Sequence, residues 1–326
     1  MDFGLQLGNL DWQRLKDVAQ EAEELGYNSL MLPDHIVHEG PERHPDFSYF
    51  SYEAMVKATV LVEATKTVEV GHLVLCNLFR HPAITAQALM SLDTLSGGRI
   101  FTGIGTGWTE REFHMTGIPF PDIATRLRML DEALTVLRSL FTQETTTFAG
   151  EFYRLQEAVL FPKPLRKPYP PILLGGGGRG LLRIAAKHAD VVNIISETGK
   201  RGFIALDEIA KFTNESYRRK VQFLRDEAAR LGRDPQDIRI SNVIFSTVIT
   251  DTVEAARAAA EGMAGFFRLP PEALAQSPLA LIGTPEQCVA ELKRRIATWE
   301  LGQVVFSFSD EGTMKRLATE VMPHVR

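Results

Sequence analysis

The chain has 326 residues, 44% hydrophobic and 24% charged, a balance that excludes disorder, a collagen-like repeat and a small disulfide scaffold. A chain of this length buries about three quarters of its unfolded surface, in one large core or two. With 36 Lys and Arg against 41 Asp and Glu, the net charge of -5 leaves no diffuse positive field for nucleic acid or an anionic membrane, so the expected partner is a small molecule.

Along the chain, short β-rich runs alternate with helical stretches. Residues 3–7 read as a strand. Residues 12–25 read as an amphipathic helix with Leu15, Val18, Ala22 and Leu25 at helical spacing, closed by Gly26. The second strand, residues 29–32, ends in Pro33-Asp34-His35, and a loop rich in His, Pro and aromatics leads to a helix over residues 52–65. The third strand covers residues 68–75. After Pro82 a helix runs to Leu95, Gly97-Gly98 stops it, and residues 100–104 form a fourth strand followed by Gly105-Thr106-Gly107-Trp108. A helix follows over residues 123–141. Residues 145–155 read as a two-stranded excursion around Ala149-Gly150, an insertion within one domain, and five prolines between 162 and 171 make a stiff connector.

A strand at 172–174 then meets Gly175-Gly176-Gly177-Gly178 and a helix over 181–188, and a sixth strand covers 190–195. Residues 197–213 read as a long loop with a helical turn, positioned to act as a lid. A helix over 214–231, the longest β-rich run at 238–249, an Ala-rich helix at 253–263, a helix at 285–299 and a strand at 304–308 complete the pattern. Eight strand–helix pairs predict a single α/β domain over residues 1–326, a (β/α)8 TIM barrel with insertions. The rival doubly wound sheet requires GxGxxG after the first strand, where Gly8-Asn9-Leu10-Asp11-Trp12 stands instead.

Cys76 and Cys288 are the only cysteines, which fits a reducing, cytoplasmic setting. Residues 1–10 lack a basic stretch followed by an apolar one, and the apolar runs fall below the ~18 residues of a membrane span, so a soluble, unexported protein is expected.

In a barrel the active site is built from strand C-termini and the loops after them. Asp34-His35 ends strand two, where a histidine gives or takes a proton; alternatively Asp34 caps the loop and His35 packs on it. After strand three, Cys76-Asn77 precede Arg80, read either as an anion ligand or, with His81, as exposed at a helix start without a partner. Gly105-Thr106-Gly107 bares backbone at the mouth, with Trp108 free to stack on or wall a flat ligand, although a structural turn explains the glycines equally. Gly175, Gly176, Gly177 and Gly178 lead into a helix and favour a phosphate nest, with Arg179 and Arg183 supplying charge; no Lys-Ser or Lys-Thr follows, so this is not a Walker loop. His35, His38 and His44 share a loop, but the end of strand one offers no paired histidines, so no metal site is expected. No GxSxG occurs and neither cysteine has a nucleophile's setting. Phe47, Tyr49, Phe50 and Tyr52 are placed to line a pocket near His35 or to cover the barrel end.

Five segments in order, Pro33-Asp34-His35, Phe79-Arg80-His81-Pro82-Ala83, Leu95-Ser96-Gly97-Gly98-Arg99, Gly103 to Trp108, and Ile282-Gly283-Thr284-Pro285-Glu286-Gln287, resemble the bacterial luciferase-like flavin monooxygenase superfamily. The likeness runs from Phe3 to Phe308. Within it, the Gly-Trp-x-x-x-Glu-Phe form at 107–113 and the glycine run look most like the branch that uses the deazaflavin coenzyme F420. The resemblance implies a flavin or deazaflavin ring in the barrel mouth and a non-prolyl cis peptide at a bulge in strand three, at Leu73-Val74, backing that ring. It implies Asp34, Asn77, Thr106 and Gly107 as ring-contacting positions, with the ribityl phosphate near residues 175–178, and His35 as the acid/base.

Trp108 stands where sugar-phosphate dehydrogenases of that branch carry an acidic residue, which points to an apolar or aromatic substrate. The leading expectation is therefore an oxidoreductase moving a hydride between bound F420 and a small organic substrate. One alternative is a monooxygenase using O2 and reduced FMN from a partner flavin reductase. The other is a flavin-binding protein without catalysis. The family also implies a homodimer.

Overall fold

The structure, a computed structural model, describes residues 1–37, 51–197, 206–267, 269–271, 274 and 277–326. In chain order its strands are β1 (Asp2–Gln6), β2 (Ser29–Leu32), β3 (Glu69–His72), β4 (Leu75–Cys76), β5 (Thr102–Gly105), β6 (Thr146–Ala149) and β7 (Arg154–Ala158). There follow β8 (Ile172–Gly175), β9 (Val191–Asn193), β10 (Arg239–Ile244), β11 (Ser246–Ile249), β12 (Ala280–Gly283) and β13 (Leu301–Ser307). Nine of them form one parallel sheet in the order β3-β2-β1-β13-β10-β9-β8-β5-β4. The ends meet, because Val70 in β3 bridges to Ile100 and the Phe101 N–H donates to the Val70 carbonyl at 3.2 Å. With β3 and β4 as two halves of one stave, this is the eight-stave barrel that the strand–helix alternation predicted.

Gly103 makes the closure possible, since a Cβ there would lie 1.6 Å from the His72 carbonyl oxygen. Inside the barrel Met31, Phe101, Leu173, Val243 and Val305 form a plug on which Leu73 and Val74 sit. Outside it the helices cover a second, larger core. Those that bear on the site are α1 (Trp12–Glu24), α2 (Ala54–Ala64), α3 (Pro82–Ser96), α4 (Glu110–Thr116), α5 (Ile123–Thr142), α6 (Arg179–His188), α7 (Leu206–Lys211) and α8 (Asn214–Arg230). Two of their ends carry signals read in the sequence, Pro82 opening α3 and Gly97 closing it at φ +70°, and the structure adds Asp11, which caps α1 by accepting from the Arg14 N–H. Among the described residues no helix is long and apolar enough to cross a membrane.

Four readings need correction. The third strand is not continuous over 68–75, because it breaks at Leu73 and Val74 into β3 and β4. The run at 238–249 is two strands: β10 ends in the barrel at Ile244, and β11 turns out to pair in parallel with β12. A stave has neighbours only as far as the mouth, so the remaining β-rich residues pair outside it, with residues 280–283. The last strand starts at Leu301 rather than 304. Helix α4 was not anticipated, since seven residues are too few for periodicity to register.

Candidate active site

The floor of the mouth is the break in the third stave. The Leu73–Val74 peptide is cis, at the position inferred from the sequence. Gln6, at the end of β1, donates from Nε2 to the Leu73 carbonyl at 2.9 Å, and the Ser307 hydroxyl donates to Gln6 Oε1 at 2.9 Å, so two neighbouring staves orient the corner. The Val74 side chain lies over the ends of β5 and β8. A Cβ on Gly105 would meet Val74 Cγ2 at 2.9 Å, and one on Gly175 would meet Val74 Cγ1 at 3.0 Å. Glycine is therefore needed at both strand ends to admit Val74, a packing reason that accompanies any ligand.

Asp34 is buried beside that corner. Its Oδ2 accepts from the Cys76 N–H at 2.9 Å and from Arg80 Nη1 at 2.7 Å, and its Oδ1 accepts from Arg80 Nη2 at 3.1 Å. Arg80 also donates to Glu53, the N-cap of α2. The guanidinium is thus a clasp between β2, α2 and α3, and neither reading of Arg80 holds: it is not exposed without a partner, and its bonds go to carboxylates of the chain. Burial works to lower the Arg80 pKa, but Asp34 and Glu53 outweigh it and raise it. His81 likewise has partners, accepting from the Ala83 N–H at 3.2 Å and meeting the Tyr153 ring edge-on at 5.4 Å. The Cys76 thiol is pushed up to about 12 by burial, which keeps it protonated and unreactive.

His35 follows Asp34 and turns toward β5. Its Nδ1 lies 3.1 and 3.2 Å from the two carboxylate oxygens of Glu112 on α4, and its ring meets Trp108 edge to face, with centroids 5.5 Å apart at 84°. Glu112 is buried, and its Oε1 also accepts the backbone N–H groups of Ile36 at 2.6 Å and Val37 at 3.1 Å. A carboxylate can only accept, so the proton of a neutral His35 ring belongs on Nδ1, and Nε2 carries the basic lone pair. Gly107, between Thr106 and Trp108, has φ +75°, and a Cβ there would lie 2.7 Å from Cys76 Sγ. Thr106 donates weakly to the Gly107 carbonyl at 3.4 Å.

Asn77 is buried, its N–H on the Gly105 carbonyl at 3.0 Å and its Nδ2 donating to the Tyr153 hydroxyl at 3.2 Å. Tyr153 reaches it from the β6–β7 hairpin, whose tip is held by Glu132 accepting from the N–H groups of Glu151, Phe152 and Tyr153 at 2.8 to 3.2 Å.

The glycine run divides its work. Gly176, at φ +152°, continues the ladder by donating to the Asn193 carbonyl at 3.0 Å, and a Cβ on Gly177 would meet the Ile195 carbonyl oxygen at 1.9 Å. Gly178 is the N-cap of α6 with open space around its Cβ position. The first-turn N–H groups of α6, like those of any helix, have no acceptor within the helix. A cavity of about 480 Å³ opens there between α6, α7 and α8. One cation at the run is Lys220 of α8, donating to the Gly177 carbonyl at 2.6 Å and Glu197 at 2.8 Å. Arg179 lines the cavity and lies over Phe223 at 4.7 Å, whereas Arg183 sits beside Glu227 at 3.7 Å and does not line it.

Tyr52 stacks on Trp12 at 3.9 Å between centroids, a covering role. His38, His44, Phe47, Tyr49 and Phe50 lie outside the described residues. Glu112 belongs to the Gly-Trp-x-x-x-Glu-Phe form at 107–113, but its spacing from His35, 77 residues, offers no local signal of their contact. Gln6, Tyr153 and Lys220 belong to separate units and carried none either. The Ile282-to-Gln287 motif proves to be a capping box, with Thr284 and Gln287 satisfying each other's backbone N–H at the start of the helix Pro285–Trp299.

The luciferase-like monooxygenase family model matches residues 3–277. The chain is 32% identical to an F420-dependent glucose-6-phosphate dehydrogenase of Intrasporangium calvum over 252 residues, 74% of this chain and 72% of that protein. It is 32% identical to an FMNH2-dependent dimethylsulfone monooxygenase of Pseudomonas putida over 139 residues, 43% of this chain and 38% of that protein. In fold it is similar to an F420-dependent secondary alcohol dehydrogenase solved with an F420–acetone adduct, with a TM-score of 0.77, 20% identity, and coverage of 100% of this chain and 99% of that one. The sequence match over most of its length, on a barrel whose mouth is built at the expected strand ends, places the chain in the luciferase-like monooxygenase family.

Proposed function

We propose that the protein is an F420-dependent oxidoreductase acting on a small organic substrate, apolar or aromatic in character. The observation that carries the reading is the His35–Glu112 pair, set edge-on to Trp108 at the end of β2. Likeness to the F420-dependent relative over 74% of the chain favours deazaflavin over FMN. A bound deazaflavin supplies two-electron hydride chemistry, and the protein's share is orientation and the proton. The residues fit such a group: the mouth is bared by Gly105 and Gly175 over Val74, and the open N-terminus of α6 beyond Gly178 suits a phosphate. Leu73, Val74, Asn77, Thr106, Gly107 and Trp108 would face or frame the ring. Asp34 would act through Arg80 and Cys76, to which its carboxylate is bonded. His35 would hold or move the substrate's proton at Nε2, with Glu112 stabilising the charge it acquires.

The relative named for glucose 6-phosphate raises a sugar phosphate as the competing substrate class. The apolar reading rests on Trp108 beside His35. The test is a parallel titration with F420 and FMN, oxidised and reduced, followed by absorbance and tryptophan quenching, then a substrate screen with whichever binds. Tighter binding of F420 and turnover of apolar alcohols or ketones would support the proposal. Tighter binding of reduced FMN with O2 consumption would replace it with the monooxygenase reading, and turnover confined to sugar phosphates would refute the substrate class.

A further inference from the structure

Arg126, in the first turns of α5, is a nine-tenths buried cation without a carboxylate. It is 9% exposed, no acidic side chain among the described residues pairs with it, and its Nε has no acceptor. Among the described residues its guanidinium makes one hydrogen bond and one ring contact. Nη1 donates to the Gly107 carbonyl, and the guanidinium carbon lies 4.0 Å from the centre of the Phe120 ring. Phe120 stacks on Phe113, the residue after Glu112 on α4, and Phe113 also touches the place a Cβ on Gly107 would occupy, at 3.1 Å. Desolvating a guanidinium with so little in return is costly, and burial lowers its pKa. A Met or Leu would fill the same volume more cheaply, so packing does not explain the residue.

Helix α4 is weakly anchored at its start. Its N-cap Thr109 makes no capping bond and keeps a buried hydroxyl without a partner. Arg126 holds both sides of this segment, the turn before it through Gly107 and the helix itself through Phe120 and Phe113. That segment carries Trp108 and Glu112, two groups that meet His35 among the described residues.

We propose that Arg126 is a positioning residue that sets the His35–Glu112–Trp108 geometry by clamping the Gly107 turn to α4. The inference rests on the reading of His35 as the acid/base, and its test is arranged to stand apart from that reading. An imidazole packed against an indole alters its emission, so in the protein without cofactor the change in Trp108 emission that His35→Ala produces reports their contact. Arg126→Met is expected to lose that change and to lower kcat by about tenfold or more, with Tm within about 2 °C of the parent. Arg126→Lys, which keeps one donor for the Gly107 carbonyl, should restore at least half of the emission change. A Met variant that keeps both the emission change and turnover would overturn the proposal, as would losses matched by a large fall in Tm, which would mark a structural role. If His35→Ala itself turns over normally while Arg126→Met loses the emission change, the acid/base reading fails and the clamp stands.

Discussion

Replacing Glu112 with Gln tests whether a buried carboxylate sets the tautomer of His35. Oε1 accepts the Ile36 and Val37 N–H groups and Oε2 is the oxygen nearest His35 Nδ1, at 3.1 Å. Gln keeps the backbone contacts with its amide oxygen, which places its NH2 group against Nδ1. Two donors cannot face each other, so the ring must carry its proton on Nε2, which removes the basic lone pair from that nitrogen. A hydrogen bond to a charged group in a buried setting is worth roughly 1.5–3 kcal/mol, and about 1.4 kcal/mol is tenfold in rate, so kcat should fall about 10- to 100-fold. Because the two backbone bonds survive and the third is reversed and loses its charge, Tm should fall by only about 2–4 °C. Nitrogen-15 shifts of the imidazole assign the tautomer without any substrate, and steady-state kinetics give kcat. A variant that retains the proton on Nδ1, or turns over within twofold of the parent, would refute the reasoning.

Other outcomes follow from the same geometry. His35→Ala should lower turnover by ~10² or more while cofactor affinity, from the absorbance titration, stays nearly intact; an equal loss of affinity would make His35 a binding residue. Gly177→Ala forces a Cβ to within 1.9 Å of the Ile195 carbonyl oxygen, and about 1–3 kcal/mol of strain should lower Tm and weaken phosphate-bearing cofactors more than their dephosphorylated forms. Burial pushes the Glu23 carboxyl up, but the N–H groups of Thr67, Val68 and Lys66 and the Thr67 hydroxyl outweigh it and hold the pKa at about 2 against 4.5 unfolded. Its contribution is therefore complete above pH 4.5 and is lost as pH falls toward 2. Discounted for partial exposure it is worth about 1–2 kcal/mol, so Glu23→Gln should melt lower at pH 7 and converge with the parent near pH 2. Curves that stay parallel down to that pH would contradict it.

Much of the barrel was legible because its signals are local. Leu15, Val18 and Ala22 announce a helix face within three turns, Gly97 supplies the left-handed end of α3, and Pro82 its start. The position of the mouth follows from topology alone once strand and helix alternate, which is why Asp34, His35, Trp108 and the glycine run could be picked from the residues after each strand. Which of those side chains hold one another is a different kind of information. Glu112 reaches His35, Arg80 reaches Asp34 and Tyr153 reaches Asn77 across separations of 77, 46 and 76 residues, and no periodicity or spacing encodes such pairs. Likewise, residues 246–249 are β-rich in either case, but whether they extend a stave or pair with residues 280–283 depends on where the barrel's neighbouring strands stop. Local propensity and hydrophobic period specify elements and their order. The partners of buried charges, and the cost of leaving them unpaired, arise only when closure of the barrel brings distant segments out of water together.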